Sequence, residues 1–237
     1  MKILALDTAT ENCSAALLCE AVIITRERRL EHGHAAHILP MVDAVLAEAG
    51  VGLGALAAIA FGRGPGAFTG VRLAASVTQG LAFGAGIPVV PVSDLQALAQ
   101  RLLTSEAITD RVLACIDARM HEVYWACFER RGGFAAAVSE ERLTPPEGVQ
   151  MPPEWNCKAY AQGEAVAAAG SGFSAYPELL TGLGMRRAIV RADLLPSAAE
   201  VAALAVPEVT AGRVFPPEQA LPVYLRNDVV QSPARSH

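Results

Sequence analysis

The sequence predicts an α/β protein of two related halves, the first a mixed sheet flanked by helices, and three observations carry that expectation. The first is composition: 237 residues that are 52% hydrophobic, 18% charged and 5% aromatic. That balance buries a large core of small aliphatic side chains and excludes disordered, collagen-like and disulfide-stapled classes. The second is length, which at about 100 to 150 residues per domain allows one large domain or two small ones. The third is an internal echo. Ile3-Leu4-Ala5-Leu6-Asp7 leads through residues 8–12 into the apolar run 13–18, and Val112-Leu113-Ala114-Cys115-Ile116-Asp117 leads through 118–122 into 123–128. Each copy is an apolar strand ending in Asp, a polar turn and a second strand, so aligning Asp7 with Asp117 superimposes two hairpins.

The other elements follow in order. Val22-Ile23-Ile24 opens a third strand reaching Leu30. A helix then carries Ile38, Val42, Val45, Leu46 and Ala49 on one apolar face, with Gly50 placed to stop it and Pro40 tolerable only in its first turn or at a kink. A buried strand over 56–61, a helix over 67–83, a strand over 88–92 and a helix capped by Ser93 or Asp94 and ending near Leu103 complete a first unit at 1–105. The second unit, 106–212, is less regular. After its hairpin come proline pairs at 145–146 and 152–153, a strand-like stretch over 155–160, a Gly-Ser-Gly turn at 170–172 and a helix over 197–205. Residues 213–229, with the apolar Val223-Tyr224-Leu225, form an extended closing segment expected to rejoin the first unit, and 230–237 are expected to be a disordered tail.

A net charge of −5 argues against a chain that grips nucleic acid alone, because such affinity comes from clustered Lys and Arg releasing counterions. A partner would supply that grip. The five cysteines include no C-x-x-C pair and read as reduced thiols of a cytoplasmic protein. The amino terminus opens like a signal peptide, but Asp7 cuts its apolar run short. Residues 73–92 carry no charge, yet Gly86-Ile87-Pro88 divides them into a helix and a strand, so no membrane span is expected.

Gly62-Arg63-Gly64-Pro65-Gly66-Ala67-Phe68-Thr69-Gly70-Val71-Arg72 is a glycine-rich loop between a strand and a helix. Such a junction either cradles an anion on free amides or is simply a tight turn. It has no G-K-[ST], and its loose G-x-G-x-x-A lacks the acidic residue expected about 20 positions on. Two ridges of small residues run along the following helix: Gly66, Gly70, Ala74 and Thr78, and Ser76, Gly80 and Gly84. Interior glycine costs a helix about 1 kcal/mol relative to alanine, so something packs closely there: this chain's own first helix, a partner's helix, or both. His32, His34 and His37 crowd the start of the first helix, but Asp43 is a poor further ligand, and they read as polar caps in preference to a metal site. No nucleophile motif appears. Asp7 and Asp117 are the suggestive carboxylates, each equally able to do no more than hold its turn.

The opening Ile3-Leu-Ala-Leu-Asp-Thr-Ala-Thr, the Ile38-Leu39-Pro40 step, the Gly64 to Arg72 run, Ile116-Asp117-Ala118-Arg119 with Glu122-Val123-Tyr124, and the closing Pro222-Val-Tyr-Leu-Arg-Asn227 together resemble the TsaB (YeaZ) family. The resemblance is collinear over nearly the whole chain. It implies an actin-like, Hsp70-like (ASKHA) fold of two related RNase H-like lobes. It also implies a bacterial cytoplasmic subunit, not itself catalytic, of the complex that transfers threonylcarbamoyl to N6 of adenosine 37 in tRNAs reading ANN codons. The implied partners are the catalytic paralogue TsaD and the ATPase TsaE, with tRNA met through the complex.

The same resemblance bears on single residues. TsaD carries a metal-binding H-x-x-x-H whose two histidine positions correspond here to Asp94 and Leu98, and leucine cannot ligate. No metal is therefore implied, and metallopeptidase readings fail for the same reason. Actin-like folds hold phosphates between turns corresponding to 8–12 and 118–122; here the Gly-Thr pattern is missing and Arg119-Met120-His121 would crowd a phosphate. No tightly bound cofactor is expected, with ATP or ADP only at a complex interface and Asp7, Gly64, Gly66 and Thr69 as candidate contacts. The family's partner contact is built from the first two helices, which makes His34, Ile38, Leu39, Val42, Leu46, Arg72, Leu73, Ser76, Val77 and Gly80 the candidates. Two alternatives stand beside this: an ATP-dependent, kinase-like enzyme using Asp7 or Asp117 as base, and a self-associating homodimeric scaffold.

Overall fold

The computed structural model describes residues 1–106, 109–155, 166–185 and 188–226. Strands β1 (Lys2–Asp7), β2 (Asn12–Cys19) and β3 (Val22–Arg29) form an antiparallel meander. β4 (Ala58–Gly62) and β5 (Val89–Val92) extend it in parallel, in the order β3-β2-β1-β4-β5. Leu4 and Leu6 enter the core on one face and Ile3 and Ala5 on the other, and a strand buried on both faces reads as a continuous apolar run.

The echo recurs in three dimensions. β6 (Arg111–Arg119) and β7 (Glu122–Arg131) place Asp117 opposite Val123, as β1 and β2 place Asp7 opposite Ser14. β8 (Phe134–Ala137), β10 (Val166–Ala169) and β11 (Val190–Arg191) complete the order β11-β10-β6-β7-β8, and β9 (Arg142–Thr144) pairs with β7. Trp155 closes a short 3-10 turn, Pro153–Trp155. The rest of the stretch expected over 155–160, Cys157 included, lies outside the described residues, as does the tail at 230–237.

α1 (His34–Ala49) and α2 (Phe68–Ala85) cover one face of the first sheet. Both end on glycines of positive φ, Gly50 at 64° and Gly86 at 66°, the left-handed stop that a Cβ disfavours. Pro40 lies inside α1, beyond its first turn. It is accommodated because Pro40 and Ala36 are both exposed, so water can serve the Ala36 carbonyl that loses its amide partner.

α3 (Asp94–Ser105) and α6 (Ala198–Thr210) pack on each other, and each serves the opposite half's sheet. α3 sets Leu95, Leu98 and Leu102 against Val112 and Ala114 of β6, while α6 sets Ala198, Val201, Ala202 and Ala205 against β1 and β4. α4 (Gly172–Ala175) and α5 (Glu178–Gly182) join Trp155 over the second sheet's other face. Two contacts tie the closing segment to the first sheet and its loop: Phe215 exchanges both backbone hydrogen bonds with Val89, and the Val223 amide donates to the Arg63 carbonyl at 2.7 Å.

A polar network lies along the seam. Arg101 of α3 donates to Glu27 at 3.0 Å and to the Leu195 carbonyl at 3.1 Å, and Ser197 and Asn12 also donate to Glu27. Glu200 adjoins it with a buried Oε2 that lacks a hydrogen-bond partner among the described residues. Burial pushes the Glu200 carboxyl up to about 7, against the opposing pull of Arg101. The folded state thus holds a proton that the unfolded chain has released, and this contribution to stability falls as pH rises from 4.5 to about 7. Glu200→Gln is expected to add about 1–3 kcal/mol of stability at pH 8 and almost nothing at pH 4.5, as urea midpoints at the two pH values would show.

Candidate functional site

The two hairpin turns meet across a cleft of about 1050 Å³ between the lobes. The first lobe contributes residues 8–11, the start of α1 and residues 65–71, the second contributes Asp117, Arg119 and Ser171, and residues 223–226 of the closing segment complete the lining. The glycine-rich loop lies directly on the first turn. A Cβ on Gly66 would stand 2.4 Å from the Ala9 carbonyl oxygen, and one on Gly70 only 2.0 Å from that of Thr8. Two hydrogen bonds of 2.7 Å fix this contact, Ala67 amide to Ala9 carbonyl and Thr8 hydroxyl to Gly70 carbonyl. The ridge of Gly66, Gly70, Ala74 and Thr78 is thus consumed inside the fold. The ridge of Ser76, Gly80 and Gly84 faces outward, and among the described residues nothing stands within 4 Å of a Cβ added at Gly80 or Gly84.

Behind the loop, Asp7 and Asp94 stand side by side, both fully buried. Asp7 accepts from the Ala9 amide at 2.8 Å and Asp94 from the Gly64 amide at 2.5 Å, while Asp7 Oδ2 and Asp94 Oδ1 find no other donor among the described residues. Burial, reinforced by the neighbouring Asp7 charge, pushes the Asp94 carboxyl well above its ordinary value, and burial raises Asp7 too. Two buried carboxyls in contact disfavour each other's ionisation, which adds to the effect of burial. The pair ties the end of β1 to the loop and to the start of α3. Asp7 and Gly64 are therefore absent from the cleft lining, where Gly66 and Thr69 are present.

Across the cleft, Asp117 accepts from the Arg119 amide at 2.9 Å and pairs with its guanidinium at 3.1 Å. Arg119, Met120 and His121 all have positive φ, at 63°, 56° and 59°, a conformation costing roughly 1–2 kcal/mol per residue that carries a Cβ. Arg226 holds this turn by bonding Glu122 and the Ala118 carbonyl. At the start of α1 the expectation of histidine caps is corrected. Gly33 occupies the N-cap with φ of 87° and no side-chain cap, while His34 Nε2 lies 2.9 Å from the Thr10 carbonyl oxygen. His34 thus braces the turn and lines the cleft. Among the described residues, no three His, Cys, Asp or Glu side chains gather as a metal-binding group.

The outward face of α1 and α2 separates the remaining candidates. Ile38, Val42 and Leu46 are buried against the first sheet and belong to this chain's core, with Leu73 and Val77 half-buried on the same cluster. Leu39, Arg72, Ser76 and Gly80 are exposed. Phe83, 78% exposed, and Phe68, 42% exposed, also emerge on α2. Periodicity hides these two because both helices are apolar almost all round; the available signal is an aromatic ring set among residues too small to bury it.

Two sheets built on the same hairpin, with a cleft between their turns and two helices exchanged behind it, define a two-lobed protein of the actin-like, Hsp70-like class. Comparison with known proteins narrows that class. Residues 27–210 match the family described as TsaD: tRNA N6-adenosine threonylcarbamoyltransferase. The tRNA threonylcarbamoyladenosine biosynthesis protein TsaB of Escherichia coli K12 is 40% identical over 97% of this chain and 96% of its own length. The TsaB of Haemophilus influenzae is 36% identical over 97% and 95%. The solved structure of YeaZ from Pseudomonas aeruginosa has a TM-score of 0.86 at 45% identity, covering 94% of this chain and 99% of that one. The chain belongs to the TsaB (YeaZ) family, and its role lies in the biosynthesis of threonylcarbamoyladenosine in tRNA. Among the described residues no helix is long and apolar enough to cross a membrane.

Proposed function

We propose that this chain is the non-catalytic subunit of the cytoplasmic complex that transfers threonylcarbamoyl to N6 of adenosine 37 in tRNAs reading ANN codons. It pairs with a TsaD paralogue through the outward face of α1 and α2, the TsaE ATPase joins the pair, and tRNA is met through the assembly. The observation that carries this reading is the face itself: Leu39, Ser76, Gly80 and Phe83 present apolar, side-chain-poor helix surface to solvent. Such a surface invites burial, and a glycine ridge lets a second helix come close.

The cleft favours a supporting role over catalysis in this chain. Asp7 is sealed away beside the buried Asp94, and Asp117 is occupied by Arg119, so neither is free to serve as a base. Arg119, Met120 and His121 take the place of a phosphate-binding turn, and any ATP or ADP belongs to the interface with a partner. Reconstitution tests the reading. Chain, paralogue, TsaE, tRNA, ATP and threonylcarbamoyl-adenylate are combined with each protein omitted in turn, and modified adenosine is measured. Modification should require both this chain and the paralogue. Full modification without this chain, or modification by this chain alone, would overturn the assignment.

A further inference from the structure

We propose that Arg72 is a preset clamp for a carboxylate of the paralogue, an inference that rests on the pairing proposed above and names one of its contacts. The side chain is held by its neighbours. Its guanidinium lies over the Phe68 ring, 3.5 Å from the centroid. The Tyr224 ring stands at 5.3 Å, and Nε donates to the Tyr224 hydroxyl at 2.6 Å. The rings of Phe68 and Tyr224 lie 5.8 Å apart, so helix α2 and the closing segment build the clamp together.

What the guanidinium lacks is a counter-ion. Arg63, Arg101, Arg130, Arg213 and Arg226 each pair with a carboxylate of this chain. Arg72 has none within 4.0 Å among the described residues, and its two terminal nitrogens make no hydrogen bond there. The cleft is lined by Phe68 and Tyr224 but not by Arg72, which separates the open fork from a phosphate in the cleft. Arg72 instead heads the row Arg72, Ser76, Gly80 at helical i, i+4 spacing, the exposed ridge of the proposed contact. A planar fork stacked on an aromatic ring matches a carboxylate through two parallel hydrogen bonds, and little side-chain freedom remains to be lost on binding. Charge complementarity therefore points to an Asp or Glu on the paralogue's facing helix. A second copy of this chain, offering its exposed Asp43, is the rival occupant.

Affinity of the full-length chain for the purified TsaD-family paralogue from the same organism, measured by calorimetry at low and high salt, tests the clamp. Arg72→Glu should weaken binding about 100-fold, by like-charge contact with the partner's acid. Arg72→Lys should weaken it about tenfold, because an ammonium keeps the charge and loses the fork. Tyr224→Phe should cost about fivefold and leave the free chain's melting temperature unchanged. Arg72→Ala should also flatten the salt dependence of binding. Wild-type affinity for Arg72→Glu, with Gly80→Arg abolishing binding, would overturn the clamp and leave the pairing standing. No association of the wild-type proteins would overturn both. Loss of self-association in Arg72→Glu by light scattering, with paralogue binding intact, would assign the fork to a second copy and overturn the proposal.

Discussion

Gly80→Arg is expected to abolish copurification of this chain with its paralogue and leave the isolated chain folded, with a melting temperature unchanged or slightly raised. Both halves of that result come from the same position on α2. Among the described residues nothing stands within 4 Å of a Cβ added there, and replacing an interior helical glycine with a good helix former gains up to about 1 kcal/mol. In the complex, two helices must approach to about 8–10 Å between axes. A long charged side chain on that ridge either forces them apart or is buried unpaired, at a cost of about 3–5 kcal/mol, equivalent to more than about 100-fold in affinity. Ser76→Arg, one turn earlier, should behave alike. Pull-down with the paralogue alongside a thermal melt reads both effects, and retained pull-down by either variant would refute the assigned face.

Gly70→Ala, ten positions back on the same helix, is expected to do the opposite. Its Cβ would stand 2.0 Å from the Thr8 carbonyl oxygen and 3.0 Å from the carbonyl carbon, both backbone atoms with no rotamer to escape into. Either α2 lifts from the 8–9 turn, breaking the Thr8 hydroxyl to Gly70 bond, or the turn shifts and disturbs the hydrogen bond of the Ala9 amide to Asp7. Overpacking of this kind costs about 1–3 kcal/mol, occasionally more, and the lost hydrogen bond adds about 1 kcal/mol. A total near 3 kcal/mol corresponds to roughly 6–12 °C in melting temperature for a chain of this length. Gly80→Ala should instead stabilise slightly. If both alanine variants melted with the wild type, the division of α2 into a buried and an open ridge would fail.

That division shows where sequence reasoning reaches its limit. The hairpins β1–β2 and β6–β7, the stop of α1 at Gly50, and the Ser93 cap, whose hydroxyl accepts from the Gln96 amide at 3.2 Å, involve residues close in the chain. Local patterns suffice to find them. Candidate site residues were legible only in part. Leu39, Arg72, Ser76 and Gly80 do lie on the open face, but Ile38, Val42 and Leu46 occupy the same short helix and turn inward. The exposed rings of Phe68, Phe83 and Tyr224 carry no periodic signal. Asp7, a conspicuous carboxylate beside a glycine-rich loop, is withdrawn from the cleft by Asp94, far along the chain.

Local sequence patterns were enough for the duplicated hairpin, the strand–helix alternation of the first mixed sheet, the stop of α1 and the membership in the TsaB family, whereas the short strands that complete the second sheet left no such pattern. Packing between distant segments settled which ridge of α2 is spent on the Thr8–Ala9 turn and which stays exposed, that α3 and α6 serve each other's sheets, and that Asp7 and Asp94 are buried side by side. The physical reason is common to all three. Two ridges on one helix are equivalent until another element covers one of them. Here the covering contacts, such as Thr8 to Gly70 or Ser14 to Ala198, join residues 62 and 184 positions apart.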